Sequence, residues 1–328
     1  MPKSRNQKLK LLYLKDILEN ETDENNKLTV KQIIEKLEDY GVRAERKSIY
    51  DDIDCLLQYG VDVIVEKSDS NYYFIGERNF ELPELKLLVD SVQSSKFLTE
   101  KKSNSLIKKL ESLCSQSQAI SLNRQVFISD RIKTMNESIY LTIDEIQNAI
   151  QNKEKISFKY LSYSIGNKSI FKRDGKKYII SPYALMLEDQ NYYLLGYDTN
   201  DKKFKHYRVD KIIGIEATTE PLDGQEEFKE INLPKYSKKL FSMFGGNVEK
   251  IKLQVDSDLI GVITDRFGKN IIIKKINDNN FEVIVEIAVS PQFYGWVTSF
   301  SGKIKIISPE NTVTDFKNHL KKVAEFYK

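Results

Sequence analysis

The feature that most constrains this chain is a change in the period of its apolar residues. Up to about residue 151 they recur every three to four positions, which is helical spacing. From 155 to 216 they fall in short alternating runs bounded by turn residues, which is strand spacing. A chain that switches period this sharply assembles from separate units. Its 328 residues make two or three domains the expectation.

The amino-terminal stretch reads as three helices and a hairpin. Leu9, Leu12, Tyr13 and Ile17 alternate with Lys8, Lys10 and Lys15 on a first helix. Thr29 is placed to cap a second, with Val30, Ile33, Ile34 and Leu37 as its buried stripe and Gly41 just beyond its end. A third carries Ile49, Ile53, Leu56 and Leu57 on one face and stops at Gly60. Val61–Val65 and Asn71–Ile75 then read as strands around the turn Lys67-Ser68-Asp69-Ser70. This is the plan of a winged helix-turn-helix, whose third helix enters the major groove by its first residues. Here Arg43, Arg46 and Lys47 suit guanine edges or phosphates, and Ser48 and Tyr50 suit phosphate oxygens. Lys67 at the wing tip and Lys3, Arg5 and Lys8 as an arm suit the DNA backbone. The alternative is an ordinary solvated helix start, since Glu45, Asp51, Asp52 and Asp54 lie among these cations.

Leucine stripes follow: Leu82, Leu85, Leu88 and Val92, then Leu106, Ile107, Leu110 and Leu113. They are read as helices that pack on each other, on the next domain or on a second subunit. Ser115–Arg131 reads as a hinge leading to a helix over Thr142–Gln151.

Six strands are expected next: Ile156–Tyr160, Tyr178–Ser181, Ala184–Glu188, Tyr192–Tyr197, Phe204–Arg208 and Ile212–Glu216, spaced as in a small antiparallel barrel. Their aromatics, among them Phe158, Tyr160, Tyr183, Tyr193 and Tyr207, interleave with Lys159, Lys172, Arg173, Lys177, Lys203, Lys205, His206 and Arg208. Either bases stack on these rings while the cations follow phosphates, or the rings fill a core and the lysines solvate it. Past a polar linker at Glu220–Glu230, the remainder reads strand, helix, strand, strand, helix, strand, helix, a compact α+β unit.

Composition narrows the function classes. The net charge of +3 hides an uneven distribution: residues 1–80 hold 13 basic and 16 acidic side chains, and residues 146–218 hold 13 and 8. An anionic ligand is therefore expected at the middle of the chain. No stretch approaches the roughly 18 apolar residues of a membrane span, and the start lacks the apolar core of a secretory signal. A cytoplasmic protein without membrane contact is expected. Cys55 and Cys114 read as reduced core thiols. With His206 and His319 as the only histidines and no Cys/His cluster, no metal is expected. No nucleophile with a positioned base and no Gly-rich phosphate loop is present, so neither an enzyme nor a cofactor is expected.

Three stretches carry a family resemblance. The first is Gly41–Ile53, GVRAERKSIYDDI. The second runs Ser181-Pro182-Tyr183, Asn191-Tyr192-Tyr193-Leu194-Leu195-Gly196-Tyr197 and His206-Tyr207-Arg208-Val209-Asp210-Lys211-Ile212. The third is Gly295-Trp296-Val297-Thr298-Ser299-Phe300 with Ser308-Pro309-Glu310. In this order they resemble bacterial transcription regulators with a winged helix-turn-helix, a central WYL domain and a carboxy-terminal WCX extension. Tyr192 stands where the family's namesake tripeptide begins with Trp, and Asp51 where an arginine often follows the helix tyrosine.

The resemblance implies an α+β multidomain protein: a DNA-binding winged helix at 1–80, a helical linker and dimerisation region at 81–145, an Sm-like or SH3-like WYL barrel at 146–218, and a linker with the WCX unit at 219–328. It implies a homodimeric transcription regulator that binds double-stranded promoter DNA and senses single-stranded nucleic acid or a nucleotide-like anion. Its implied pocket residues are Ser181, Tyr183, Tyr193, His206 and Arg208. Tyr160 and Lys177 join them from the charge and aromatic pattern. The alternative is a nucleic-acid-sensing accessory factor whose winged helix contacts protein.

Overall fold

The computed structural model describes residues 7–122, 138–165 and 169–327. The chain divides into two units between Glu137 and Ser138. Lys3 and Arg5, and the stretch from 123 to 131 read as part of a hinge, lie outside the described residues.

In the first unit, α1 (Lys10–Glu21) leads to a two-residue strand β1 (Leu28–Thr29) and α2 (Val30–Asp39). Thr29 starts α2 with a reciprocal cap: its hydroxyl accepts from the Gln32 amide while the Gln32 side chain accepts from the Thr29 amide, 2.8 Å. The third helix, α3 (Arg46–Tyr59), ends at Gly60, whose φ of 101° is a left-handed conformation that a Cβ would strain. Strands β2 (Val63–Lys67) and β3 (Asn71–Ile75) form the hairpin, and β1 pairs with β3 to give the order β1-β3-β2. Leu14, Ile17, Leu18, Ile33, Leu37, Ile49 and Ile53 close the core.

Helical geometry revises two expected faces here. On α1 the buried set is Leu14, Ile17 and Leu18, whereas Leu12 is exposed. On α3 the stripe is Ile49, Ile53 and Leu56. Cys55 and Leu57 lie off that stripe because each residue turns the helix about 100°, so Cys55 is an exposed thiol, while Cys114 is buried as expected.

Helices α4 (Leu82–Ser94), α5 (Glu100–Glu111) and α6 (Gln116–Leu122) complete the unit. Leu85, Val89, Cys114 and Leu122 form their core, and the expected Leu88 faces outward. Asp23, just past α1, ties this layer to the first three helices. One carboxylate oxygen accepts from the Asn25 and Asn26 amides and the Asn26 side chain, 2.9 to 3.0 Å; the other accepts from the Ser115 and Ser117 hydroxyls.

The second unit opens with α7 (Ile139–Asn152), then β4 (Glu154–Tyr163), β5 (Ser169–Phe171), β6 (Tyr178–Glu188), β7 (Asn191–Asp198), β8 (Lys203–Arg208) and β9 (Ile212–Pro221). Strands β9, β4, β6, β7 and β8 follow one another in an antiparallel sheet, with β5 on the far end of β4. The strands expected at Tyr178–Ser181 and Ala184–Glu188 are one strand, because a bulge between Pro182 and Ala184 absorbs the missing proline donor without ending the ladder. Gly196 lets β7 approach β6: a Cβ there would sit 2.3 Å from Ile180 Cγ2.

The stretch expected as a polar linker is structured. β9 runs through Pro221, and α8 (Gln225–Lys229) and α9 (Leu233–Lys239) follow. Next come β10 (Val248–Asp256), α10 (Ile260–Phe267), β11 (Ile273–Lys275), β12 (Asn280–Ala288), α11 (Pro291–Thr298), β13 (Ile304–Ser308) and α12 (Glu310–Glu325). Their antiparallel order β11-β12-β10-β13 is that of a βαββαβ, ferredoxin-like unit. Ile251, Leu253 and Val255 alternate inward with Lys250, Lys252 and Gln254 outward, so period 2 alone selects the buried face.

Candidate functional site: a basic, tyrosine-walled cleft

β8 is the last strand of its sheet and pairs only with β7. Its other edge is open, so all of Lys203–Arg208 borders a cleft of about 1080 Å³ in the second unit. Tyr160, Tyr178, Tyr193, Tyr207 and Tyr236 line it together with Lys172, Arg173, Lys203, Lys205, Arg208 and Lys211; none of the described lining residues carries a carboxylate.

The rings meet one another before they meet a ligand. Phe158, fully buried, lies 5.6 Å from Tyr178 and 5.5 Å from Tyr207, and Tyr160 lies 5.8 Å from Tyr207. Both readings of the aromatics therefore hold in different layers: Phe158 fills the core, and the tyrosines packed on it form the cleft wall. Burial pushes the Tyr160 hydroxyl up to about 12, although it accepts a hydrogen bond from the Arg208 amide at 3.0 Å. Two buried polar atoms beside the cleft have no partner among the described residues, Tyr207 Oη and His206 Nε2. The His206 ring stacks on Tyr236 at 5.7 Å, and burial lowers its pKa to about 4, so it stands neutral at pH 7.

The cations differ in how far they are compensated. Arg208 grips Asp210 through two nitrogens, 2.7 and 3.0 Å, and also donates to the Asn191 side chain at 3.0 Å. Lys205 and Arg173 share the fully buried Asp198, at 2.6 and 3.6 Å. By contrast, Lys172, Lys203 and Lys211 have no ion pair among the described residues, and Lys172 lies 5.7 Å from the Tyr160 ring centre. Burial, then Arg208 nearby, presses the Lys211 pKa down. An anion in the cleft would relieve that repulsion.

Of the expected pocket residues, the structure brings Tyr160, Tyr193, His206 and Arg208 to the cleft and leaves Lys177, Ser181 and Tyr183 elsewhere. Lys177 pairs with Glu216 at 2.5 Å on the surface. Ser181, fully buried, accepts from the Asp223 amide at 2.9 Å, and Tyr183 donates to the Asp223 carbonyl at 2.7 Å. Those two side chains hold the chain after β9. The sequence reading missed Tyr236 and the turn Ser242–Asn247, which line the cleft from outside the sheet. The signal was present as Phe241-Ser-Met-Phe-Gly-Gly, an aromatic run between polar segments.

The expected DNA-contacting residues lie in the first unit, around the start of α3 and the hairpin. Arg43 and Lys47 are exposed. Arg46 donates to the Tyr50 hydroxyl at 2.8 Å with its guanidinium 5.9 Å from that ring. Ser48 donates to the Glu45 carbonyl, and Lys67 is exposed at the end of β2.

Comparison with known proteins places this geometry. Residues 142–217 match the family model of the WYL domain. No curated protein matches the chain by sequence. Among solved structures it is similar to the proteasome accessory factor B/C (PafBC) of Arthrobacter aurescens, with TM-score 0.29 and 14% identity over 97% of this chain and 49% of that one. It is also similar to a CRISPR Cas-related protein, with TM-score 0.38 and 15% identity over 75% of this chain and 71% of that one. The chain thus spans about half the length of the first of these. The stretch matched at 142–217 includes all of β4 to β8, and with them the sheet residues that line the cleft, so this part of the chain is a WYL domain.

Proposed function

We propose that the protein is a ligand-responsive transcription regulator that binds promoter DNA through its first unit and senses single-stranded nucleic acid, or a nucleotide-like anion, in the WYL cleft. The cleft carries the reading: tyrosine rings and cations without a lining carboxylate are what a base-and-phosphate ligand needs. For the first unit, the support is the order of three helices and a three-stranded sheet, with Arg46, Lys47, Ser48 and Tyr50 on the opening turn of the third helix. We propose further that the protein acts as a homodimer, and Leu87, 69% exposed on α4, suits that reading.

Two measurements test it. In a titration of single-stranded oligonucleotide against salt, the Lys172→Ala/Lys211→Ala double variant should bind at least about tenfold more weakly at low salt. Its log–log salt slope should fall by about 1.4, since each of the two lost phosphate contacts contributes roughly 0.7 on a single strand. Unchanged affinity and slope would remove the cleft from the reading. In a footprint of the DNA flanking its own gene, the wild-type protein should protect a site and the Arg46→Ala/Lys47→Ala variant should not. If that variant keeps regulation while Arg208→Ala abolishes it, the first unit contacts protein instead.

A further inference from the structure

Part of the cleft lining outside the sheet is a tight turn with an unusual build. Phe241 and Phe244 bridge each other, and the two residues between them, Ser242 and Met243, have φ of 50° and 58°. A two-residue turn of this kind favours Asn and Gly, which adopt the left-handed region readily. Serine and methionine do not, so the surrounding structure must hold the turn in place.

It is held from behind by the ferredoxin-like unit. Phe241 is buried with its ring 5.4 Å from Phe293 and 5.3 Å from Trp296. The Arg266 guanidinium lies 4.2 Å from the Phe241 ring centre and donates to the Leu240 carbonyl. Met243 is buried with Leu240 and Ala288. At Gly246 a Cβ would meet the Val289 carbonyl oxygen at 2.1 Å, so the chain there lies directly against the neighbouring backbone. The front of the turn is different: Phe244 lines the cleft and is 52% exposed. A large aromatic ring left open on a strained and firmly anchored turn, in a basic cleft also lined by tyrosines, has the makings of a stacking platform.

We propose that the Phe241–Phe244 turn is a ligand-binding element, in which Phe244 stacks on a nucleobase of the ligand while the lysines of the cleft hold its phosphates. The proposal rests on the reading of the cleft as a nucleic-acid site, and it adds a base-recognising residue outside the sheet. The ferredoxin-like unit thereby takes part in binding by fixing where that ring stands.

The test uses the full-length protein and two fluorescent probes of equal length, a short oligothymidylate and its abasic deoxyribose-phosphate counterpart. Phe244→Ala should weaken binding of the oligothymidylate about tenfold, the usual loss for one stacked base, and leave the abasic strand within about twofold. Phe244→Trp should restore the preference for the base-bearing strand. Emission from Trp296, the only tryptophan of the native sequence, should be the same in free wild type and free Phe244→Ala, which checks that the turn keeps its anchor. Equal loss on both probes, or no loss on either, would overturn the stacking role while leaving the cleft as a phosphate site. Wild-type protein that binds neither probe would overturn the cleft reading itself and this proposal with it.

Discussion

One buried polar site in each unit makes an instructive pair. In the first, the nearly inaccessible Asp23 carboxylate is satisfied on both oxygens by two amides, a carboxamide and two hydroxyls. In the second, Tyr207 Oη and His206 Nε2 are buried beside the cleft with no partner among the described residues. A closed network holds elements together, whereas an open one stays costly until something fills it. The first arrangement is that of a structural joint, and the second is what the proposed binding site would show when unfilled.

The largest effect should come from opening the closed network. Asp23→Ala strands the buried Ser115 hydroxyl and the amides after α1, and should destabilise the first unit by about 2–4 kcal/mol in urea denaturation. A loss under about 0.5 kcal/mol would mean that the joint is held by apolar packing alone. Burial raises the Asp23 pKa, but hydrogen bonds from Ser115, Ser117 and Asn26 outweigh it and bring the group to about 2. Because the folded pKa lies below the unfolded value, this contribution is present above about pH 4 and is lost as pH falls towards 2.

His206 works in the other direction. It stays neutral in the fold down to about pH 4 but protonates near 6.5 when unfolded, so the unfolded state binds more protons between those values. Stability should fall as pH drops from 7 to 5, by up to about 1.4 kcal/mol per unit below 6.5. In His206→Gln the difference between pH 7 and pH 5 should shrink; an unchanged difference would assign the pH dependence to other groups.

The smallest effect has the most telling sign. Tyr207→Phe deletes a buried hydroxyl that has no partner among the described residues, so the free protein should be unchanged or stabilised by up to about 1 kcal/mol. Its oligonucleotide affinity should nevertheless decline. Clear destabilisation of the free protein would show that the hydroxyl is satisfied, and the contrast between the two sites would narrow.

Much of this molecule was legible in its residues because local rules dominate there. The Thr29 cap and Gly60 after α3 each act within a few positions, and both appear where expected. Where periodicity was ambiguous the reading slipped. Leu12, Cys55, Leu57 and Leu88 are apolar neighbours of the true stripes, and only packing selects between adjacent helix positions about 100° apart.

For the site, composition pointed to basic, tyrosine-rich strands but not to which side chains share a cleft. Ser181 and Tyr183 belong to the same family motif as Tyr193, yet they bind the backbone at Asp223. Tyr236 and Phe244, far along the chain in a stretch without a motif, line the same cleft as β8. The sequence by itself determined the run of elements, the caps, the sheet faces and the region of positive charge, all properties of neighbouring residues. Only the tertiary structure decided which cations are already paired, which hydroxyls lack a partner and what lines the cleft from outside the sheet, because those depend on contacts between segments distant along the chain.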